Sequence, residues 1–513
     1  MTAGLHGGNL IGNTVSKAGA VRFRGVDPTN GISLQPEFVE VTTDEIEAAV
    51  HAASAAAPDL VRIGRAGRAA WLRGIGGELD RLGGLIVSRT VAETGRDLDG
   101  VEREHRRCIA TCEMFARVAE DSWWRDVHVD HLERRNGGRE ALLGRVAVPV
   151  GPVAVFGAAN VPLMGGAAGT DVVAALAAGC PVVVKSHPAH PGVGELLATA
   201  VLSAAAQGGI PNGAYSLLHG ISHTVGVDLV GQPGIKAVAF TGSLTAGRAL
   251  HDAAARRTDP IPVFAEMGSV NPMFIMTSAL GDRELAGGIA ASVSRHNGQL
   301  CTKPGVVLVP NGPDGDGFVG DIVEALQGSL GGPMLHEGIR RSFEETAAAL
   351  TEMASVKDLT GHPPSDGSGW IRGVALSASA ESVLSGQLSI SEVFGPLVLI
   401  VRYRDENELS ELARQLDGQL TASIWAADED LDRYDGLVDL LVTRAGRVLW
   451  RDFPTGTPNT MAMHHGGPYP ASTDARYTSV GPATISKFVR PVALQNFPRP
   501  YLTRKLEKEE LKS

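Results

Sequence analysis

Two patterns of apolar and polar positions share this chain, and one gives way to the other near residue 150. Before that point long stretches of strong helix formers dominate. Thr43–Ala57 reads as a helix with Asp44 as its N-cap, a second helical stretch runs from Arg65 to Val91, and a third covers Leu98–Glu120. After the charged segment Arg125–Glu140, short β-branched runs alternate with alanine-rich helices, as in a parallel sheet buried on both faces. Val153–Phe156, Val182–Lys185, Ser216–Leu218 and Ala237–Phe240 read as strands, with helices at Gly165–Ala178, Gly192–Gln207 and Leu244–Ala255 between them. That is the rhythm of a dinucleotide-binding domain. A second alternating region begins near Asn271, with strands at Met273–Met276, Val306–Val309, Val398–Val401 and Ala422–Trp425, and predicts a second α/β domain. The final stretch, Thr503–Ser513, reads as a solvated charged tail.

Composition narrows the class. A chain of 513 residues with 43 % hydrophobic and 20 % charged positions is neither disordered nor fibrous. Its 63 glycines have no triplet period, and they predict frequent tight turns. The formal charge of −11 argues against general affinity for nucleic acid or an anionic membrane, so small-molecule chemistry is the expectation. Four cysteines without a CxxC pair give no disulfide framework and suggest a reducing compartment. No signal-like or membrane-spanning stretch is apparent, which predicts a cytoplasmic location. Cys108 and Cys112 lie one helical turn apart with no histidine cluster nearby, so they read as packing residues, and no metal site is read from the sequence.

Several residues could carry chemistry. Cys301 sits in the polar segment Gly298-Gln299-Leu300-Cys301-Thr302-Lys303-Pro304, compatible with either a structural thiol or a nucleophile. Glu266 ends the strand-like Ile261–Phe264 region, as a partner for a helix terminus or as a base that activates water. Asn160 follows a buried strand, and its position suits both a turn and an oxyanion donor. The usual GxGxxG is absent; instead Phe240-Thr241-Gly242-Ser243 leads a strand into a helix, aiming N–H groups and a hydroxyl at a phosphate. Lys185, at the end of Val-Val-Val-Lys, is placed for a ribose hydroxyl or a phosphate.

Taken in order, A-A-N-V-P, V-V-V-K, F-T-G-S, A-E-M-G-S-V-N-P, G-Q-L-C-T and E-V-F-G-P resemble the NAD(P)-dependent aldehyde dehydrogenases. The stretches A-L-A-A-G-C-P-V-V-V-K-S-H-P and H-G-G-P-Y-P-A-S-T-D-A-R-Y-T-S-V-G are closer still to the branch of 2-oxoglutarate semialdehyde and fatty aldehyde dehydrogenases. The resemblance implies an α/β fold with a Rossmann-like cofactor domain (1–127 and 151–270), a catalytic domain (271–480), and a small β oligomerisation ribbon from 128–150 and the strand within 481–513. It implies a homodimer or homotetramer. It assigns Cys301 as the nucleophile, Asn160 as the oxyanion donor and Glu266 as the base. Lys185 and Glu392 would hold the two riboses, Ser243 the pyrophosphate, and Thr241, Gly242 and Phe394 the nicotinamide surroundings.

Departures from the family pattern bear on the cofactor and the substrate. Where NAD-preferring relatives place an acid three residues after the lysine, this chain has Pro188, which removes a repulsion against a 2′-phosphate. His223 stands where NADP-preferring relatives often carry arginine, so NADP is accepted and preference over NAD is left open. Val161 replaces a common phenylalanine, and Arg295 offers a partner for a substrate carboxylate or for a neighbouring loop. The expected substrate is 2-oxoglutarate semialdehyde, with a medium or long aliphatic aldehyde as the alternative. A CoA-acylating relative, a cofactor-free thiol esterase and a catalytically silent protein are the rival readings, and the presence of Glu266 speaks against the first.

Overall fold

Five β-branched or alanine-rich runs form the parallel core of one seven-stranded sheet. Across it the order is Val263–Glu266, Ala237–Thr241, Val153–Phe156, Val182–Lys185, Tyr215–Leu218, then the antiparallel Asn9–Ile11 and Thr14–Ser16. Numbered along the chain, the parallel strands lie 5-4-1-2-3, the order of a dinucleotide-binding sheet, with its switch point between Val153–Phe156 and Ala237–Thr241. The computed structural model describes residues 4–132, 141–361 and 370–507. Four of the predicted strands of this sheet appear within one residue of their expected bounds because each is too apolar to leave the interior: Val182, Val183 and Val184 are fully buried, whereas the strand read at Ile261–Phe264 lies two residues later, at Val263–Glu266.

A second seven-stranded sheet runs Val356–Asp358, Val374–Ser379, Leu397–Tyr403, Val306–Pro310, Met273–Ile275, Gln419–Trp425 and Ala445–Trp450, parallel except at the first pair. Each sheet has its own apolar layers on both faces. A three-stranded antiparallel sheet, Val489–Gln495, Ala141–Pro149 and His128–Leu132, stands apart from both. Among the described residues no helix is long and apolar enough to cross a membrane.

Four expectations need correction. The first helix is capped by Thr42: its Oγ1 accepts from Glu45 N at 3.2 Å while the Glu45 carboxylate takes the Thr42 N–H at 2.8 Å. Asp44 lies inside the first turn, and the helix runs through Pro58 to Arg62. The stretch Arg65–Val91 is two helices, Gly64–Arg81 and Gly83–Thr94, broken at Leu82 beside two glycines. The helix read from Gly165 starts at Thr170, because Gly165 and Gly166 close tight loops onto Val161 and Leu163. The charged tail folds in part: Arg499–Leu506 is a helix whose Leu502 and Leu506 pack on Val146, and residues 508–513 lie outside the described ones. Leu98–Glu120 matches its expected bounds, with Cys108 and Cys112 buried and free.

Buried histidines are expected to make the fold acid-sensitive. His219 packs on Phe38 with ring centroids 5.0 Å apart, and neither ring nitrogen has a hydrogen bond. Burial pushes it down to about 3, and burial pushes His190 down to about 4. A histidine held neutral in the fold but protonated in the unfolded chain costs nothing above its ordinary value of 6.5 and destabilises increasingly as pH falls toward its folded value. For His219 alone the loss reaches about 3 kcal/mol near pH 4. His219→Leu is therefore expected to flatten the fall in Tm between about pH 6.5 and 4; an unchanged slope would show that His219 contributes nothing to it.

Candidate active site

Cys301 is held by an unusual loop. It follows the short turn Arg295–Gly298, in which His296, Asn297 and Gly298 have φ of 50°, 53° and 70°. Only glycine suits position 298, since a Cβ there would lie 2.1 Å from the Gly395 carbonyl carbon. Asn271 Nδ2 donates to the carbonyls of Cys301 (2.8 Å) and Lys303 (2.9 Å). The buried Lys303 Nζ in turn donates to the carbonyls of Val393 (3.0 Å) and Leu397 (2.8 Å), so the cysteine loop and the Glu392–Pro396 loop are clasped together.

Glu266 arrives from the other sheet. It ends the strand Val263–Glu266, bridges to Ser472, and has a buried carboxylate. His465, from the irregular segment after Trp450, joins the two: its Nε2 lies 3.1 Å from Glu266 Oε1 and 3.4 Å from Cys301 Sγ. The His465 backbone N–H donates to Thr478 Oγ1 at 2.8 Å, which pins the main chain that carries the ring. Burial works to raise the Glu266 carboxyl, but His465, Lys487 and Ser479 together outweigh it and hold the group below its ordinary value. Burial pushes the Cys301 thiol well up, and the neighbouring Glu266 charge adds to this. A thiol so placed needs a base to release its proton, and two candidates adjoin it.

A cavity of about 280 Å³ opens above this group. Asn160, Thr241, Glu266, Arg295, Cys301 and His465 all line it. Asn160 is buried, and its Nδ2 donates to Gln299 O at 3.1 Å, which brings the amide against the cysteine loop. One face of the helix Leu98–Glu120 forms a wall: Gly100, Arg103, Glu104 and Arg107 fall at helical spacing along it. Arg295 is exposed, whereas Arg107 is half-buried, with Nη2 donating to Thr457 Oγ1 (3.1 Å) and Asn459 Oδ1 (3.2 Å). Arg107 has no carboxylate within ion-pair distance among the described residues.

The nucleotide candidates lie along the carboxyl edge of the first sheet. Lys185 is half-buried and makes no side-chain hydrogen bond among the described residues; burial pushes it down to about 8, with Glu40 opposing. A half-buried ammonium without a hydrogen-bond partner fits a ligand hydroxyl or phosphate oxygen. Ser243 caps the helix Leu244–Ala255, accepting from Ala246 N at 3.3 Å, and Gly242–Ala246 are exposed at its N-terminus, a fit for a phosphate. Glu392 reaches from the second sheet into a cleft shared with Leu244 and Gly268. Burial pushes Glu392 up to about 7, with Lys303 opposing. Phe394, two residues on, is half-buried. Pro188 and His223 line neither of these two cavities: Pro188 sits in the turn after Lys185, and His223 opens the helix His223–Gly231.

Sequence reasoning missed two groups. His465 begins the quoted H-G-G-P-Y-P stretch, but nothing local distinguishes it from the adjacent His464, and only the tertiary fold brings it to Cys301. Glu40 lies far from the motifs, yet its carboxylate accepts from Ile221 N (2.6 Å), Ser222 N (2.7 Å) and Ser222 Oγ (2.5 Å) and faces Lys185.

The chain is 37 % identical over 507 residues to alpha-ketoglutaric semialdehyde dehydrogenase 2 of Azospirillum brasilense, covering 98 % of this chain and 97 % of the relative. It is 37 % identical over 478 residues to alpha-ketoglutaric semialdehyde dehydrogenase of Acinetobacter baylyi, covering 92 % and 90 %. Among solved structures, an E. coli NADP dependent enzyme superposes with a TM-score of 0.81 at 23 % identity, covering 95 % of this chain and 98 % of that one, which speaks to the fold alone. Residues 15–473 match the family model described as the aldehyde dehydrogenase family, and with near-full-length relatives at this identity the chain belongs to that family.

Proposed function

We propose that this protein oxidises 2-oxoglutarate semialdehyde to the dicarboxylic acid through an adduct on Cys301. The observation that carries the reading is the meeting of Cys301, Glu266, His465 and Asn160 in one cavity rimmed by arginines. The Sγ proton passes to His465 Nε2, 3.4 Å away, and the Glu266 carboxylate, 3.1 Å beyond, steadies the imidazolium charge while staying ionised. The thiolate attacks the aldehyde carbon, and the Asn160 amide with the Cys301 backbone N–H holds the oxyanion that forms. A nicotinamide dinucleotide, when bound, would accept the hydride that the Cys301 thiohemiacetal loses in becoming a thioester. Glu266, ionised at neutral pH, then takes a proton from the water that hydrolyses the thioester to the acid. A base beside the thioester favours hydrolysis over transfer to a CoA thiol.

In this reading Lys185 and Glu392 hold the riboses, Ser243 the pyrophosphate, and Thr241, Gly242 and Phe394 surround the nicotinamide. Pro188 leaves the turn after Lys185 uncharged, so NADP is accepted, while Glu40 beside Lys185 disfavours a 2′-phosphate and His223 is a weak counterweight. The same proposal divides the chain into a cofactor domain (1–127 and 151–270) and a catalytic domain (271–480). It gives the antiparallel sheet of 128–150 and Val489–Gln495 the work of joining subunits into a dimer or tetramer. Among the described residues neither edge strand of that sheet, His128–Leu132 or Val489–Gln495, pairs with a further strand, which supports the assignment.

The substrate assignment rests on its distal carboxylate meeting Arg295, with Arg107 nearby in the same cavity. It is tested by initial rates of nucleotide reduction, with NAD and NADP in turn, on 2-oxoglutarate semialdehyde, succinate semialdehyde and aliphatic aldehydes. Acidic semialdehydes are expected to be fastest. Arg295→Ala should raise KM for them about 10- to 100-fold, the loss of one charge-assisted bond, and leave aliphatic aldehydes unaffected. Unchanged semialdehyde turnover in that variant would overturn the salt bridge, and faster aliphatic turnover in the parent would favour the alternative substrate class.

A further inference from the structure

The contact between Cys301, His465 and Glu266 is also a set of metal donors. A thiolate sulfur, an imidazole nitrogen and a carboxylate oxygen are the ligand types of catalytic zinc sites, which use three protein ligands and leave a fourth position open. Here the three donor atoms lie within 4.8 Å of one another, the single such group of three or more among the described residues. Bond lengths of about 2.3 Å to sulfur and about 2.1 Å to nitrogen and oxygen, at tetrahedral angles, place S and N about 3.6 Å apart and N and O about 3.4 Å apart. The observed separations, 3.4 Å and 3.1 Å, fall within a few tenths of an ångström of these.

We propose that Cys301, His465 and Glu266 form a reversible, inhibitory Zn²⁺ site at the floor of the active-site cavity. This rests on the same cluster as the catalytic reading but needs neither aldehyde nor nucleotide. Three features support it. The cavity gives an ion a route from solvent and room for a water as fourth ligand. A divalent cation between thiolate and carboxylate leaves a neutral cluster, with the carboxylate and imidazole both buried. The backbone also fixes two ligands: Asn271 pins the cysteine loop and Thr478 pins the His465 main chain.

Binding forms a Zn–S bond as the Sγ–H proton leaves to solvent; nothing is oxidised or reduced. The second shell sets the strength. Zinc-bound histidines normally donate their other N–H to an acceptor, and His465 Nδ1 is buried with none, so the site lacks the support of a permanent zinc centre. Occupancy and release by a chelator are the behaviour expected, with the nucleophile masked while the ion is bound.

The test uses Co²⁺ as a spectroscopic probe on the reduced, metal-free full chain, without substrate. One equivalent is expected to give a thiolate-to-cobalt charge-transfer band in the near ultraviolet and the visible bands of a four-coordinate ion, both displaced by Zn²⁺ and abolished by chelator. Cys301→Ser should remove the charge-transfer band, a clean assignment because Cys108, Cys112 and Cys180 are buried. His465→Gln and Glu266→Gln should each weaken Co²⁺ binding at least tenfold. Zn²⁺ should also slow alkylation of Cys301 by iodoacetamide in the parent and lose that effect in His465→Gln. A band that survives Cys301→Ser, or parent-like affinity in His465→Gln, would overturn the site. Inactivity toward every aldehyde together with intact Co²⁺ binding would count against the catalytic reading alone.

Discussion

Cys301→Ala is expected to lower aldehyde oxidation by at least about ten-thousandfold in kcat/KM, with nucleotide affinity unchanged within about twofold. The magnitude follows from the absence of a substitute nucleophile. Glu266 and the His465 ring adjoin the Cys301 sulfur, but neither a carboxylate nor an imidazole matches a thiolate as a nucleophile toward an aldehyde. The remaining thiols, Cys108, Cys112 and Cys180, are sealed in the core, and burial pushes Cys112 up to about 12 and Cys180 up to about 11. The side chain itself bears little load, since its loop is held by the Asn271 bonds to the main-chain carbonyls of residues 301 and 303. Unchanged Tm and unchanged nucleotide binding therefore accompany the loss if Cys301 is the nucleophile. Residual turnover near one per cent of the parent would show that another group carries the covalent step.

The second large effect separates the two halves of the reaction. Glu266→Gln keeps the shape and the buried position but cannot accept a proton, so adduct formation and hydride loss proceed once while hydrolysis stalls. Rapid mixing with excess nucleotide and semialdehyde should show a burst of about one reduced nucleotide per active site, followed by a steady rate about 100- to 10,000-fold below the parent. A slowed burst of the same amplitude would place Glu266 in release of the thiol proton as well. The pH dependence carries a second check. Because His465, Lys487 and Ser479 hold the Glu266 carboxyl below its ordinary range against the effect of burial, the base is ionised throughout neutral pH. The hydrolytic step should then be level between about pH 6 and 8 and decline only in acid, as the carboxylate protonates. A hydrolysis rate that climbs across that interval would assign the base to another group.

Much of this site was legible because its residues terminate elements whose identity is local. Asn160, Lys185, Thr241 and Glu266 stand at or just past the carboxyl ends of apolar strands, and a run such as Val182–Val184 has no other stable place than the sheet interior. What the sequence concealed depends on chain crossings. Glu40 precedes the first helix yet reaches the backbone of Ile221 and Ser222, and His465 acts through a segment with few regular elements. The misplaced start of the Thr170–Ala178 helix has a different cause: alanine and glycine in Gly165–Gly169 satisfy helix and loop about equally, and the hydrogen bonds that decide it come from Val161 and Met164. For the tail, charge suggested solvent, but Leu502 and Leu506 needed only a small apolar surface beside Val146 to order one short helix.

The clasp between the cysteine loop and the Glu392–Pro396 loop constrains how such an enzyme can be altered. Gly298 admits no side chain against Gly395, and Lys303 ends on the carbonyls of Val393 and Leu397, so the strip bearing the nucleophile and the strip bearing Glu392 share one set of contacts. A designer who widens the aldehyde pocket by moving one strip will move the other, and nucleotide affinity will drift with substrate range. Variation aimed at new aldehydes is better confined to the Gly100–Arg107 face of the long helix, which borders the cavity and supplies none of the hydrogen bonds of the clasp.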